Sequence, residues 1–370
     1  MVRDGPAPRR AYVATDAGLI ALPERPSGLV PRAPFALFGS ALLPASAKAR
    51  LALEPMLAAF ASEPAGPSSV AAFVDRRLGR QTRERLVDPM LRAIYGVESD
   101  RLDLDATMPH LRSMVRDHGS LGLGVLRASR KPAPGGLVTL RGGMDGLVRR
   151  LAEVVGAGRI RLGTPVVSIA RASASALRLE TPRGPIDVDA AIVAVPSWRA
   201  AELLAQVAPQ LAAELASIAH VSTDVVTLAY PRSAVRHALD GTGHVVASTG
   251  ARTRACTWAS EKWHARAPGS HVLLRSVLDA PGASDDELVA MARAEAEPLL
   301  DIRACPVLSR VRRRARALPV PGVGHLALRE RLHAHAVASG SLRLAGGATG
   351  GLGVPDCLAT GLSAAAEITA

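Results

Sequence analysis

Between Leu342 and Gly361 the chain runs Leu-Arg-Leu-Ala-Gly-Gly-Ala-Thr-Gly-Gly-Leu-Gly-Val-Pro-Asp-Cys-Leu-Ala-Thr-Gly, a strand-like stretch feeding a loop with five glycines. Pro355 stands where the first turn of a helix would begin, a place that suits proline because the nitrogen there has no intrahelical acceptor. Glycines let a ligand come close to the backbone, and a helix start offers free N–H groups and a partial positive charge. That combination suits a phosphate or the electron-rich pyrimidine edge of a reduced flavin. The plainer reading is a glycine-rich turn that packs a terminal helix, since the spacing is not G-x-G-x-x-G and the loop lies at the far end of the chain.

Few other residues combine into chemistry. Cys256, Cys305 and Cys357 lie far apart with no C-x-x-C pair, which excludes a disulfide framework and a zinc ribbon and fits a reducing cytoplasm. His333 and His335 are two positions apart and so fall on different faces of a helix; they read as solvated surface, and no metal is expected. Cys357 beside the glycine loop invites redox work or, once the resemblance given below is taken in, covalent flavin attachment, against the simpler reading of a small buried hydrophobe. No acid–base pair stands out, and no catalytic residue is assigned.

The elements that position these residues fall into a mixed α/β pattern. Residues Ala11 to Leu22 alternate like a hairpin with Asp16–Ala17–Gly18 as its turn. A helical region starts near Ser46, where Leu53, Met56, Leu57 and Phe60 form one apolar face that reads as core, with docking on a membrane as the alternative. After Pro64, Gly66 and Pro67, a second helix has Ser68 or Ser69 as N-cap, Val70, Phe73, Val74 and Leu78 as its inner face, and Gly79 at its end. A third spans Thr82 to about Ile94, kinked at Pro89. The helical module closes near Gly124.

Past the loop Pro132–Gly136, Gly142 and Gly143 precede a helix whose Leu147, Val148, Leu151 and Val155 are expected to face inward. Strands are expected at Arg159–Leu162, Val166–Ile169, Leu177–Thr181 and Ile186–Val188. Ala190–Val195 is a continuous apolar run, the sign of a strand covered on both faces. Further strands are expected at Val225–Tyr230, Ala255–Trp258, Val272–Leu278 and Ser341–Ala345. Ser284 through Glu287 reads as a capping box that opens a helix to about Leu300.

Lys+Arg number 45 against 33 Asp+Glu, a net charge of +12, and lysine occurs only at Lys48, Lys131 and Lys262. An arginine-rich surface attracts nucleic acid, anionic lipid or acidic small molecules, although a genome rich in G and C produces the same composition. Arg310, Arg312, Arg313, Arg314 and Arg316 include alternating members suited to one strand face. No aromatics interleave for base stacking, so nucleic-acid binding is not expected. The apolar run from Ala33 to Ala47 is broken by Pro34 and Pro44 and is too short to span a bilayer. No signal peptide is read at the start.

The closing segment resembles the flavin-binding motif of the FAD-dependent protoporphyrinogen/coproporphyrinogen oxidase family, within the flavin amine-oxidase superfamily. Cys256-Thr-Trp-Ala-Ser-Glu-Lys-Trp263 is similar to a second segment of that family. Phe73–Gly79, Val87–Pro89 with Ile94–Gly96, Gly142–Met144 with Leu147, Asp189–Pro196, Leu318–Pro319 and Gly324–His325 resemble others, in the same order along nearly the whole chain. The resemblance implies FAD as cofactor, with contacts at Val166, Gly346, Gly347, Leu352, Gly353 and Val354. It also implies Arg275 as a substrate-propionate or structural ion-pair residue, against an arginine at a strand edge.

The implied reaction is oxidation of a porphyrinogen to the porphyrin in three two-electron steps, with hydride passing to flavin N5 and oxygen re-oxidising the flavin to give peroxide. The implied location is the cytoplasm, with peripheral attachment to the inner membrane as an addition, and the partners are a homodimer mate or a complementing N-terminal subunit. The matching organisation is a hairpin of the substrate lobe over 1–32, a helical module over 33–135, FAD-lobe parts over 136–200 and 336–370, and a substrate lobe over 201–335.

Two departures touch the site: Arg314 and Pro321 stand where the family commonly has a tryptophan and a tyrosine. A third is larger, since the family's strand, G-x-G-x-x-G and helix, with its ribose-binding acid, have no counterpart in these residues. A late start codon, a gene fragment, a separate complementing subunit and a decayed homologue each account for that. The other readings are an amine oxidase or desaturase-like enzyme of the same superfamily, and a non-catalytic binding protein.

Overall fold

The computed structural model describes residues 3–4, 10–22, 36–58, 66–128, 138–173, 175–248 and 250–369. Phe60, Pro64 and the Pro132–Gly136 loop lie outside them. Along the chain come β1 (Arg3–Asp4), β2 (Arg10–Thr15) and β3 (Gly18–Ala21), then the helices α1 (Ala36–Gly39), α2 (Ala45–Ala58), α3 (Val70–Leu78), α4 (Arg80–Thr82), α5 (Asp88–Tyr95), α6 (Leu104–Thr107), α7 (Pro109–His118) and α8 (Leu121–Ala128). Next are β4 (Thr139–Leu140), α9 (Asp145–Val155), β5 (Ser168–Arg171), β6 (Leu177–Glu180), β7 (Ile186–Val188), β8 (Ala191–Val193), α10 (Ser197–Leu204) and α11 (Pro209–Ala216). The rest is β9 (His220–Pro231), β10 (Gly241–Val246), β11 (Thr253–Trp258), α12 (Ala259–Lys262), β12 (His271–Leu278), α13 (Asp285–Leu299), β13 (Leu308–Pro319), α14 (His325–Ala338), β14 (Leu342–Leu344) and α15 (Val354–Thr369).

Seven strands build the central sheet in the order β13-β9-β12-β11-β10-β2-β3. All neighbours are antiparallel except β10 and β2. One face packs on α13, where Leu288, Ala292, Ala296 and Leu300 meet Val226, Leu228, Trp258 and Leu274 in one buried cluster. The expected capping box starts that helix: the Ser284 hydroxyl accepts from Glu287 N, and the Glu287 carboxylate accepts from Ser284 N. On the other face a register row crosses the sheet through Val13, Val245, Ala255, Val277, Val225 and Arg312. Val13 and Val245 pack there with Leu42, Leu43 and Leu86 of the helical region. The β13 end of that face is left open, with Arg275, Arg310, Arg312 and Arg314 all exposed.

The helical region has its own core of Val70, Phe73, Val74, Leu91, Leu102 and Leu104. Ser69 caps α3 by accepting from Ala72 N, and Gly79 ends it at φ 86°. The third expected helix is less regular than its spacing suggested. Pro89 has no N–H for the carbonyl of Arg85, and a wider π turn over Arg83–Val87 lies where that bond is lost.

Three expectations about apolar faces are corrected. Leu53, Met56 and Leu57 are 47%, 68% and 41% exposed, so the α2 stripe is not core; the buried positions of that helix are Ala47, Glu54 and Ala58. No residue of α9 is buried, and Val148, Leu151 and Val155 are exposed rather than inward. Strand β8 pairs in parallel with β14 alone among the described residues, and Ile192 is exposed, so it is not covered on both faces. Residues 160–163 form no strand, because a turn ending at Arg159 is followed by a second turn.

Candidate functional site

The glycine loop runs from the end of β14 to the start of α15. Ala345 N donates to Val193 O at 3.1 Å, which ties the loop's root to β8. Gly346 follows at φ 117°, a left-handed conformation that favours glycine. Its N–H donates to Thr360 Oγ1 at 2.9 Å, so the loop folds back on the helix it introduces.

The other glycines answer mainly to that fold. A Cβ on Gly350 would come within 2.5 Å of the Thr360 methyl, and one on Gly351 or Gly353 within 2.7 Å of the Asp356 carboxylate. The absent side chain at Gly353 therefore makes room first for Asp356. A Cβ on Gly346 would meet nothing within 4 Å, so open space remains at the loop's root. Glycine backbone without side chains, open space at the loop's root and the start of the 16-residue α15 together fit the polar edge of a flavin.

Around the loop, Tyr95, Pro319, Pro321 and His325 line a cleft with Gly347, Gly350, Gly351 and Leu352. Burial raises the pKa of the Tyr95 phenol, and the nearby Asp356 charge adds to it. Burial lowers that of His325, and the Arg329 charge adds to the effect. Asp103 anchors this corner: its Oδ1 accepts from Ala106 N at 2.8 Å and its Oδ2 from Gly324 N at 2.7 Å. A groove of ≈ 650 Å³ runs beside the loop between α14 and α15, lined by Arg329, His333, Arg343, Gly350, Asp356 and Thr360 among others.

Gly346, Gly347, Leu352, Gly353 and Val354 are thus brought together at one helix start. Val166 is not among them; it packs in the apolar cluster that also receives Leu344 and Ala348, and its carbonyl accepts from Arg199 Nη2 at 3.3 Å. Arg275 lies in the seven-stranded sheet, in mid-strand on β12 rather than at a sheet edge, with Thr257 and Thr227 as its cross-strand neighbours. Cys357 is half-buried, and its thiol donates to Gly351 O at 3.5 Å. Cys256 is fully buried, which pushes its thiol pKa up to about 12. Asp103 has no signal in the sequence, since a helix-capping aspartate carries no spacing of its own; Tyr95 falls within the Ile94–Gly96 match, but nothing in the sequence places it beside the glycine loop.

The chain has relatives along nearly its full length. Coproporphyrinogen III oxidase of Bacillus subtilis (strain 168) is 29% identical over 383 residues, covering 97% of this chain and 79% of that protein. Coproporphyrinogen III oxidase of Propionibacterium freudenreichii is 33% identical over 348 residues, covering 81% of this chain and 64% of the relative. A crystal structure from Exiguobacterium sp. 255-15, provisionally described as a protoporphyrinogen oxidase, superposes with a TM-score of 0.85 at 26% identity, over 99% of this chain and 81% of that one. Reduced UDP-galactopyranose mutase shares the fold at a TM-score of 0.67 and 12% identity, covering 94% of this chain and 74% of that one. The family model for flavin containing amine oxidoreductases matches residues 4–369, and this chain belongs to that family.

Proposed function

We propose that the chain oxidises a porphyrinogen to the porphyrin with FAD, as a step in haem biosynthesis. The observation that carries this reading is the glycine loop at the start of α15, set beside the cleft of Tyr95, Pro319 and Leu352, in a chain whose relatives are named coproporphyrinogen III and protoporphyrinogen oxidases.

In this reading Gly346, Gly347, Leu352, Gly353 and Val354 hold the flavin through backbone groups, and Val166 serves its adenine side. The bound flavin supplies the two-electron acceptor for each step. The chain's own residues bind and orient: Leu352, Pro319 and Tyr95 keep water from the reacting face, and Arg275 supplies a cation for a propionate. Oxygen is the proposed final acceptor, and the cytoplasm the proposed location. Among the described residues no helix is long and apolar enough to cross a membrane, while the exposed Leu53, Met56 and Leu57 support peripheral contact with a lipid surface. The partner question stays with the two proposed mates, a second copy or a complementing N-terminal subunit.

Purified protein tests the reading directly. Flavin absorbance that bleaches on anaerobic addition of a porphyrinogen, with porphyrin fluorescence rising in step, is the expected result. A chain that takes up no flavin and forms no porphyrin overturns it.

A further inference from the structure

The open end of the sheet carries an unusual row of cations. Strand β13 is an edge strand paired only with β9 among the described residues, and its side chains split by parity. Val311 packs into the α13 core and Arg313 pairs with Asp285 at 2.7 Å, so the odd positions face α13. Arg310, Arg312 and Arg314 therefore share the opposite face. Register places Thr227 between Arg310 and Arg275 in one row, and Val225 between Arg312 and Val277 in the next. Arg275 and Arg310 are thus two strand spacings apart, roughly 10 Å between backbones, and Arg312 lies about 7 Å further along β13.

None of these four arginines makes a side-chain hydrogen bond or ion pair among the described residues, whereas Arg10, Arg83, Arg112, Arg178 and Arg331 all pair with carboxylates. The row ends in a defined way. Register shifts between Arg314 and Leu318, Arg316 takes φ 48°, and its guanidinium turns to lie 5.6 Å over the Trp198 ring. Pro319, at the end of the same strand, lines the glycine-loop cleft. The strand thus leads from the flavin loop outward along a face of unpaired guanidinium groups, with Thr227 as a neutral spacer.

We infer that Arg310 and Arg312, with Arg275, form a carboxylate-reading platform that selects a porphyrinogen bearing carboxylates around its whole rim over one bearing them on a single edge. The inference rests on the porphyrinogen reading above and adds specificity residues to it. Guanidinium forks suit carboxylates through paired N–H donors, and separated forks reward a ligand whose acids are equally separated.

Fluorescence titration of the purified full chain with coproporphyrin III, a tetracarboxylate, and protoporphyrin IX, a dicarboxylate, tests it. The wild type is expected to bind the tetracarboxylate more tightly. The double variant Arg310→Gln/Arg312→Gln should lose roughly tenfold in that affinity, the equivalent of one charge-assisted contact, and little for the dicarboxylate. Arg149→Gln/Arg150→Gln removes the same charge from α9 and should change neither. A thermal melt on each variant confirms folding, and Arg310→Lys/Arg312→Lys should restore part of the affinity through charge alone. Equal losses for both porphyrins, or equal losses in the β13 and α9 variants, overturn the platform while leaving the functional reading intact. A wild type that binds neither porphyrin removes the functional reading and the platform with it.

Discussion

Gly96 closes α5 against the guanidinium of Arg254: a Cβ on Gly96 would come within 2.7 Å of Arg254 Nη1. Arg254 is 1% exposed and pairs with Asp279 at 2.8 Å, so a buried cation of the sheet is fitted against the bare backbone of the helical region. Gly96 also sits at φ 76°, where a side chain is strained. Gly96→Ala should therefore destabilise by about 1–3 kcal/mol, combining left-handed strain with displacement of Arg254. Chemical denaturation of the two proteins side by side measures it, and an unchanged midpoint would show that the contact carries no weight.

Glu54 is 1% exposed on α2, the helix whose Leu53, Met56 and Leu57 face outward. Its carboxylate accepts from Leu121 N at 3.0 Å, Gly122 N at 2.9 Å and the Ser120 hydroxyl at 2.5 Å, so one side chain completes the start of α8. Glu54→Ala strands those donors in a buried place and should cost about 2–4 kcal/mol. Ser120→Ala removes a single donor and should cost clearly less. Comparable losses in the two variants would contradict this arrangement.

The α2 stripe invites a different outcome. Leu53, Met56 and Leu57 are exposed, so Leu53→Ser/Met56→Ser/Leu57→Ser should leave the melting temperature within a few degrees of wild type, as surface changes usually do. The same triple variant should sediment less with anionic vesicles if the stripe meets lipid. A large drop in stability would instead return these residues to the core.

His325 gives a pH dependence with a definite sign. Burial lowers its folded pKa, so the unfolded chain takes up the proton first as pH falls. Its contribution to stability is present above the unfolded value of about 6.5 and is lost as pH falls through the depressed folded value. Melting temperatures between about pH 8 and pH 5 should decline more steeply in wild type than in His325→Gln. Parallel curves would remove His325 as the cause.

Elements with local punctuation are legible in the sequence alone. Ser69 and Gly79 bound α3, Ser284 and Glu287 open α13, and the first hairpin turns at Asp16 and Ala17, with Gly18 already paired with Thr15, because caps and turns are decided by neighbouring residues. The apolar faces of α2 and α9 were read correctly as apolar and wrongly as covered. Periodicity reports that a face exists, whereas its cover comes from residues far away in the chain. The arginines of β13 show the same limit: their alternation was visible, but Thr227 between Arg310 and Arg275 appears only once strand order and register are known. At the loop, the glycines were legible as a close approach, and the partner they approach, Asp356, was not.

The parallel pair β8 and β14 has a consequence for handling the protein. Each strand has a single partner among the described residues, and Ile192, Val195, Val354, Leu358 and Leu362 remain exposed around it. Parallel strands are at home when both faces are shielded, and a bare edge offers a ready row of backbone donors and acceptors. At high concentration this seam is expected to pair copies of the chain edge to edge. Light scattering against concentration should therefore show association before any loss of secondary structure, and a Leu362→Ser variant should delay it.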